Sequence, residues 1–325
     1  MTRTGLVLGA GGIVGQAFHA GVLAALEDDL GWDPRSADLI VGSSAGSVTG
    51  AALRLGVAAS DMAAWATDQP VSAAGGAFFE AIAGNDEDLP GPSASDLLRG
   101  WRLPPLALLA RAARAPWSVR PAAAASTLLP AGRYDLQERT RVLDALAPDG
   151  WPDGLWVCAA RRDHGKRVVF GRAGAPAALL SEAVAASCAI PGYFAPVTIG
   201  EREYLDGGVH SPTNADVLTH AGLDLVIVVS PMSAAHGSTW RADGAMRWTA
   251  HRRLDGEIRR LRAAGVTVVR IEPSRSTLAV MGMNAMADDR TAAVVEMARS
   301  DASAHLAGAS SARRLLPLGA AGHAA

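Results

Sequence analysis

The 325-residue chain is poor in the residues that would indicate disulfides, metal sites or nucleic-acid binding. It has two cysteines, too few for a disulfide framework or a cysteine-based zinc site. Both of them, Cys158 and Cys188, lie in apolar surroundings that are typical of buried thiols. The formal net charge of −2 argues against nucleic-acid binding as the main role. We expect neither a metal nor another cofactor.

The sequence also lacks a long apolar run. No uninterrupted apolar stretch reaches the roughly 20 residues that a membrane-spanning helix needs. Residues 1–3 lead directly into a strand pattern, without the features of a secretory signal. We therefore expect a cytoplasmic protein. The length and the 49% hydrophobic content suffice for one large α/β domain over residues 1–325.

The segment Gly42-Ser43-Ser44-Ala45-Gly46 lies between a short apolar run and a helical run of small residues. A G-x-S-x-G sequence at a strand-to-helix junction is typical of a nucleophile elbow, a tight turn that exposes the serine hydroxyl. The flanking glycines avoid collisions with the neighbouring strand and helix. The N-terminus of the following helix favours negative charge near the serine. The alternative is a glycine-rich turn with a capping serine, and only the context separates the two.

A second glycine-rich turn follows the first predicted strand, over residues 9–15. Such loops expose consecutive backbone N–H groups that can hold a phosphate or an oxyanion. A dinucleotide-binding loop would need G-x-G-x-x-G and an acidic residue at the end of the second strand. Here Gly9, Gly11 and Gly15 have another spacing, and the second strand ends at Gly42 without a carboxylate. We therefore disfavour a nucleotide site and expect both turns to face one pocket.

A third motif, Asp206-Gly207-Gly208, follows a short strand pattern. In isolation it is typical of a hairpin turn. The sequence Ala-Ser-Cys-Ala-Ile-Pro-Gly precedes it at residues 186–192, as a helix end with a Pro-Gly stop. A polar loop with a helix-start signal follows at residues 211–216.

The order of these segments is more specific than any one of them. A glycine-rich loop, G-x-S-x-G, A-S-x-A-I-P-G and D-G-G resemble the patatin-like phospholipases, the bacterial branch in particular, from residue 5 to about residue 214. The resemblance implies a three-layer α/β/α fold with a mainly parallel central sheet. It implies a catalytic dyad at the carboxyl edge of the sheet that contains no histidine. Ser44 would be the nucleophile and Asp206 the base. It places the oxyanion hole at the backbone of Gly11, Gly12 and Ile13.

The glycine-rich loop departs from the family's usual G-G-G-x-R/K-G at two positions. Ala10 replaces a glycine, and Val14 replaces the basic residue. Backbone donors remain, so an oxyanion hole can still form. If the family's cation anchors the loop or an anionic head group, another group must do so here or the substrate is less anionic. The segment before Ala20-Gly21 is also longer, which leaves the register of the first helix open.

A serine–histidine–acid triad is the competing arrangement. In an α/β-hydrolase the elbow normally follows several strands, whereas Ser44 follows only the second predicted strand. No histidine has a local motif around it, and we interpret His210 as a residue that caps or hydrogen-bonds the loop after Asp206. We therefore favour the dyad. The candidates are His164, His210, His220, His236 and His251.

Residues 71–134 are predicted to form a helical cap, inserted over the pocket. Prolines separate short apolar stretches such as residues 106–109, and arginines alternate with Trp101 and Trp117. This composition would suit acyl chains and an anionic lipid surface. The alternative is an ordinary cap that exposes its arginines to water. We expect this segment to line the pocket. For peripheral membrane contact we favour the alternative, an ordinary cap that exposes its arginines to water.

The remaining sequence returns to an α/β pattern. Strands are predicted at residues 225–229 and 266–271, and a long arginine-rich helix at 246–264. The alanine-, glycine- and serine-rich end, residues 308–325, is expected to be loose. Three methionines are expected to fill gaps in the core or line an acyl pocket: Met281, Met283 and Met286.

The combined motifs predict a serine acyl hydrolase that cleaves carboxylic esters of phospholipids, lysophospholipids or acylglycerols. The Ser44 hydroxyl would attack the carbonyl while Asp206 accepts its proton, and water would release the acyl group. An acceptor alcohol in place of water would make the protein an acyltransferase. A third interpretation is a lipid-binding or regulatory protein with little turnover. The oligomeric state stays open.

Overall fold

Alternating apolar strands and helices build the chain around one mixed β-sheet. The computed structural model describes residues 2–83, 103–115, 120–235 and 243–319. The sheet within these residues has eight strands. They are β1 Thr4–Leu8, β2 Leu39–Ser43, β3 Leu155–Arg161, β4 Arg167–Phe170, β5 Val197–Ile199, β6 Arg202–Asp206, β7 Leu225–Val229 and β8 Thr267–Ile271.

The sheet is mainly parallel, with the strand order β5-β6-β3-β2-β1-β7-β8 and β4 paired to β3. Strands β3, β2, β1, β7 and β8 run parallel to one another. Strands β4, β5 and β6 join by antiparallel pairing. The central strands β1 and β7 are buried along their whole length, as expected for parallel strands covered on both faces.

Helices cover both faces of the sheet. They are α1 Gly12–Leu30, α2 Ala45–Arg54, α3 Ala59–Ala66, α4 Ala73–Ala83, α5 Leu106–Arg114, α6 Pro121–Leu128, α7 Gln137–Thr140, α8 Val142–Leu146, α9 Leu180–Cys188, α10 Gly244–Ala263, α11 Arg275–Met281, α12 Thr291–Ala307 and α13 Ala309–Gly319. None of the helices in the described residues is both long enough and apolar enough to cross a membrane.

Two apolar cores lie on opposite sides of the sheet, because successive strand residues point to opposite faces. In β1, Leu6 and Leu8 belong to the larger core, together with residues of α1, α2, α9 and α12. Val7 belongs to the smaller core, which Leu254 and Ile258 of α10 cover. The fold therefore has three layers, α/β/α, as the sequence predicts.

Helix α1 lies between the sheet and α12. Buried residues occur on every side of it between Val14 and Leu26. A glycine permits the close approach of α12, because a β-carbon on Gly21 would lie 2.3 Å from the carbonyl oxygen of Val295. The helix begins at Gly12, which settles the register that the sequence leaves open.

The predicted cap is described in part. Helices α4, α5 and α6 lie within this segment. Residues 84–102 and 116–119, which include Trp101 and Trp117, lie outside the described residues. The described portion of residues 71–134 contains these helices, and the cap over the pocket stays a prediction.

The end of the chain differs from the loose segment predicted for residues 308–325. Helix α13 packs on β8 and α12, with Leu315 and Leu318 buried. Alanine is the strongest helix former, and leucines at helical spacing supply an apolar face. The small-residue composition thus conceals an ordered helix. Residues 320–325 lie outside the described residues.

Replacing Leu315 by alanine tests whether α13 belongs to the folded domain. Removing a buried leucine side chain costs about 2–5 kcal/mol, so the melting temperature followed by circular dichroism should fall. Arg313→Ala, on the exposed side of the same helix, is the matched control and should melt close to wild type. Equal melting temperatures for Leu315→Ala and wild type would contradict a packed helix.

Candidate active site

Ser44 lies in a strained turn between β2 and α2. Its φ of 52° and ψ of −125° are unusual for a residue other than glycine, and such strain is common at functional sites. The two flanking glycines permit the turn. A β-carbon on Gly46 would lie 1.9 Å from the Leu8 carbonyl oxygen, and one on Gly42 would lie 2.5 Å from the Ser47 Cα. The G-x-S-x-G segment therefore forms the tight strand-to-helix turn that the sequence predicts.

Asp206 ends strand β6 and contacts this turn. Its carboxylate accepts a 2.6 Å bond from the Gly208 N–H, and the Ser44 side chain lies close enough to influence its pKa. Both side chains of the pair are buried. Burial raises the pKa of Asp206 to about 6, while the Ser44 side chain and the Gly208 N–H act in the opposite direction.

The sheet register explains why residues so distant in sequence meet. Strand β3 lies between β2 and β6. Ser43 of β2 pairs with Cys158, and Asp206 pairs with the next residue, Ala159. Strand β2 runs parallel to β3 and β6 runs antiparallel to it, so the two chain segments reach this level from opposite directions. The two chain segments end at the same level of one shared strand.

The A-S-x-A-I-P-G segment at the end of α9 holds the backbones of both residues. The Ser187 hydroxyl accepts a 2.9 Å bond from the Ser44 N–H and donates a 2.7 Å bond to the Cys158 carbonyl. The Asp206 N–H donates a 2.9 Å bond to the carbonyl of Ala189. This segment contributes to the family resemblance, but its sequence does not indicate which contacts it makes. Its role in the structure is to set the distance between the pair.

Cys188 lies beside the pair. Its sulfur is 3.7 Å from the Ser47 hydroxyl. Burial of the thiol, and next the negative charge of Asp206, raise the pKa of Cys188 to about 12. A thiol with this pKa stays protonated at neutral pH, so it offers no thiolate to compete with Ser44. Cys158 is buried, whereas Cys188 is only partly so.

The glycine-rich loop lies at the end of β1, next to the pair. Its Ala10 N–H donates a 2.8 Å bond to the Pro212 carbonyl, in the loop that follows Asp206. Within the described residues, three consecutive backbone N–H groups at the start of α1 have no hydrogen-bond acceptor, and a helix N-terminus with such donors favours an anion. They belong to Gly11, Gly12 and Ile13.

A backbone carbonyl anchors the loop where the family has a basic residue. The Val14 N–H donates a 3.1 Å bond to the carbonyl of Ala285. A β-carbon on Gly12 would lie 2.4 Å from the same oxygen. Ala285 lies between α11 and α12, beyond the segment of resemblance, so no motif could have found it. In the same region Met281 fills the core as expected, whereas Met283 is exposed.

Asn214 joins the serine turn to the loop after Asp206. Its fully buried amide donates a 2.8 Å bond to the Ser43 hydroxyl. It also donates to the carbonyls of Gly207, at 3.3 Å, and Ser211, at 2.6 Å. A β-carbon on Gly207 would lie 2.1 Å from the Cys158 carbonyl oxygen, so this turn packs directly on β3. The sequence indicated a polar loop here but not this contact.

Helix α6 reaches the loop after Asp206, whereas α5 reaches the turn between β3 and β4. Helix α6 contacts the 3-10 turn Gly207–Val209, and the Arg120 guanidinium donates a 3.0 Å bond to the His210 carbonyl. From α5, the Arg111 guanidinium donates a 2.8 Å bond to the His164 carbonyl. Helix α6 therefore lies next to the turn that follows Asp206, and α5 lies next to the β3–β4 turn.

None of the histidines in the described residues hydrogen-bonds Ser44 or Asp206. Burial lowers the pKa of His210 to about 4, and its backbone N–H donates to the Gly207 carbonyl, consistent with a loop role. His251 pairs with Glu272, and His236 lies outside the described residues. The described part of the chain also holds no group of three or more metal-ligating side chains.

The chain is similar to several solved structures at low sequence identity. VipD from Legionella pneumophila is 14% identical, with a TM-score of 0.38, and the match covers 91% of this chain and 67% of VipD. The type III effector ExoU is 19% identical, with a TM-score of 0.38, over 97% of this chain and 54% of ExoU. ExoU in complex with SpcU, from Pseudomonas aeruginosa, is 20% identical, with a TM-score of 0.40, over 97% and 52%.

The chain thus spans about half to two thirds of the length of these proteins. No curated protein matches it significantly. The Patatin family model, described as patatin-like phospholipase, matches residues 6–219. This match includes the glycine-rich loop, the serine turn and the D-G-G segment. The chain therefore belongs to the patatin-like phospholipases, a family of lipid acyl hydrolases.

Proposed function

We propose that the protein is a serine acyl hydrolase that cleaves carboxylic esters of phospholipids, lysophospholipids or acylglycerols. Ser44 is the nucleophile and Asp206 is the general base. The observation that carries the proposal is that the sheet register brings Ser44 and the buried Asp206 carboxylate close together at one level of β3. The membership in a lipid hydrolase family supports the substrate class.

The environment of Asp206 suits the role of a base. A serine hydroxyl is a weak nucleophile until a neighbour accepts its proton. A carboxyl with a pKa of about 6 is ionised at neutral pH, and it is more basic than an ordinary aspartate. As the Ser44 oxygen bonds to the ester carbonyl carbon, its proton passes to Asp206. The leaving alcohol then takes that proton as the acyl-enzyme forms.

The glycine-rich loop supplies the oxyanion hole in this proposal. Negative charge develops on the carbonyl oxygen during attack. One preorganised donor to that oxygen lowers the activation barrier by about 3–4 kcal/mol. The N–H groups at the start of α1 are supported for this role because they have no acceptor within the described residues. The N-terminal end of α2, directly after Ser44, adds a favourable dipole. The proposed donors are Gly11, Gly12 and Ile13.

The second half-reaction decides between hydrolase and transferase. Water loses a proton to Asp206 and attacks the acyl carbon. The bond between the Ser44 oxygen and the acyl group then breaks, Asp206 returns the proton to Ser44, and a free acid leaves. An alcohol such as glycerol or a lysolipid would give a new ester by the same route. The ratio of free acid to new ester, measured with and without such an acceptor, distinguishes the two outcomes.

Reaction with a fluorophosphonate probe, detected by mass spectrometry, tests the proposed dyad. Wild type should be labelled, and Ser44→Ala should not. Asp206→Asn should react about 10²- to 10⁴-fold more slowly, because general-base assistance is lost. Ser60→Ala, which removes an exposed hydroxyl on α3, is the matched control and should react like wild type.

Two outcomes would contradict the dyad. Folded wild type that does not react would favour a lipid-binding protein without turnover. An Asp206→Asn variant that reacts as fast as wild type would favour a serine–histidine–acid triad instead.

The sequence alone favours an ordinary cap without membrane contact, but the exposure of its leucines leads us to propose that helix α5 brings the protein to an anionic lipid surface. The leucines of this segment are unusually exposed, with 90% exposure for Leu103, 83% for Leu106 and 50% for Leu109. Arg111 and Arg114 lie in the last turn of the same helix. Exposed leucines next to arginines are typical of helices that lie in a membrane interface. Since α5 and α6 are neighbours in the chain, contact there would bring lipid close to the site.

Sedimentation with phosphatidylglycerol vesicles tests this contact. Burial of one leucine side chain is worth about 1.5–3 kcal/mol, so Leu106→Glu with Leu109→Glu should weaken binding at least tenfold. Hydrolysis of a short, water-soluble ester should be unchanged. Met246→Glu, at an exposed apolar position on α10, should bind like wild type. Equal vesicle binding by the double variant and wild type would exclude the proposed contact.

A further inference from the structure

One buried carboxylate fastens the loop after Asp206 to helix α10. Glu257 is 2% exposed and accepts three hydrogen bonds from this loop. The donors are the Ser211 hydroxyl at 2.6 Å, the Thr213 hydroxyl at 2.7 Å and the Ala215 N–H at 2.9 Å. Glu257 lies beyond residues 6–219, the segment that the family shares.

The two intervening residues of the same loop, 212 and 214, contact the site. The Pro212 carbonyl accepts the 2.8 Å bond from Ala10 in the glycine-rich loop. The Asn214 amide donates the 2.8 Å bond to Ser43 in the serine turn, and a longer one to Gly207 after Asp206. Residues 211, 213 and 215 therefore bond Glu257, while 212 and 214 bond the three chain segments that form the site.

The carboxylate is suited to this loop because it only accepts hydrogen bonds. The nearest guanidinium atom, Nε of Arg253, is 3.9 Å from Glu257 and makes no hydrogen bond within the described residues. Burial, and then the charge of Asp216, raise the pKa of Glu257, and the three loop donors oppose that rise. The loop donors thus solvate the carboxylate in place of water.

We propose that Glu257 is a positioning residue for the reaction. It holds residues 211–215 so that the serine turn, Asp206 and the glycine-rich loop keep one common geometry. The inference rests on the proposed function, because it concerns the rate of the same serine. It assigns to helix α10 a part in a site that the family motifs alone do not complete.

Removal of the carboxylate should slow the reaction of Ser44 without weakening the substrate's binding. In Glu257→Ala, three donors lose their acceptor and the loop can shift. Misplacement by about 1 Å can cost a factor on the order of 100, so we expect kcat for a soluble ester, and the rate of phosphonylation, to fall tenfold to 100-fold. KM should change less than threefold, roughly within the range of an unaltered binding site.

Glu257→Gln serves as the conservative variant. Its amide oxygen can take the bonds from Thr213 and Ala215, and its NH2 can donate to the Ser211 hydroxyl, which can turn to accept. This variant should recover most of the rate that Glu257→Ala loses. A purely structural role would produce a change in stability without this recovery of kcat.

Asp61 supplies a matched control for the loss of a buried carboxylate. It is also buried, on α3, and accepts bonds from the backbone and hydroxyl of Ser72 and from the Ala58 N–H. Asp61→Ala should lower the melting temperature but leave the phosphonylation rate of the folded protein at the wild-type value. Equal slowing by Asp61→Ala and Glu257→Ala would overturn the positioning role.

The experiment separates this inference from the proposed function. If wild type itself does not react with the fluorophosphonate, the proposed function fails. If wild type reacts and Glu257→Ala reacts equally fast, only the positioning role fails. Should Glu257→Ala not fold, Thr213→Val removes a single loop donor at nearly constant volume. That variant should react at least threefold more slowly, on the scale of one lost hydrogen bond, and a wild-type rate would overturn the inference.

Discussion

The close approach of the Ser44 hydroxyl to the Asp206 carboxylate is the interaction on which the proposed chemistry depends. It requires a carboxylate buried enough to be basic and a serine held in a strained turn. Strand β3 brings the two to one level of the sheet. The end of α9 then bonds both backbones, through Ser187 and Ala189. Rigid secondary structure thus determines the distance between nucleophile and base, which a mobile loop could not do as well.

Close backbone packing is the second constraint. The serine turn, the D-G-G turn and the glycine-rich loop each approach another chain segment at a glycine. Gly46 packs against β1, Gly207 against β3 and Gly12 against the Ala285 carbonyl. This explains why the family motifs are rich in glycine. It also explains how the glycine-rich loop is anchored with a valine at the usual basic position, since a backbone carbonyl takes part of that role.

Most of the sheet could be predicted, because parallel strands covered on both faces appear as apolar runs such as residues 225–229. The pairing of Ser44 with Asp206 could be predicted only from the order of the motifs, since D-G-G alone resembles a hairpin turn. Contacts made by Ala285 and Glu257 have no local signal, because they depend on which surfaces meet in the folded chain. The alanine-, glycine- and serine-rich composition of the C-terminal segment predicts a loose end, whereas the spacing of its leucines is that of a helix with an apolar face.

The pH dependence of the reaction between Ser44 and a fluorophosphonate tests the central claim most directly. A base must be ionised to accept a proton, and burial raises the pKa of Asp206 to about 6. The rate should therefore be low below this pH, rise through it and level off above it. In Asp206→Asn the inflection should disappear together with most of the rate. A wild-type rate without an inflection near this pH, or an inflection that persists in Asp206→Asn, would contradict the account.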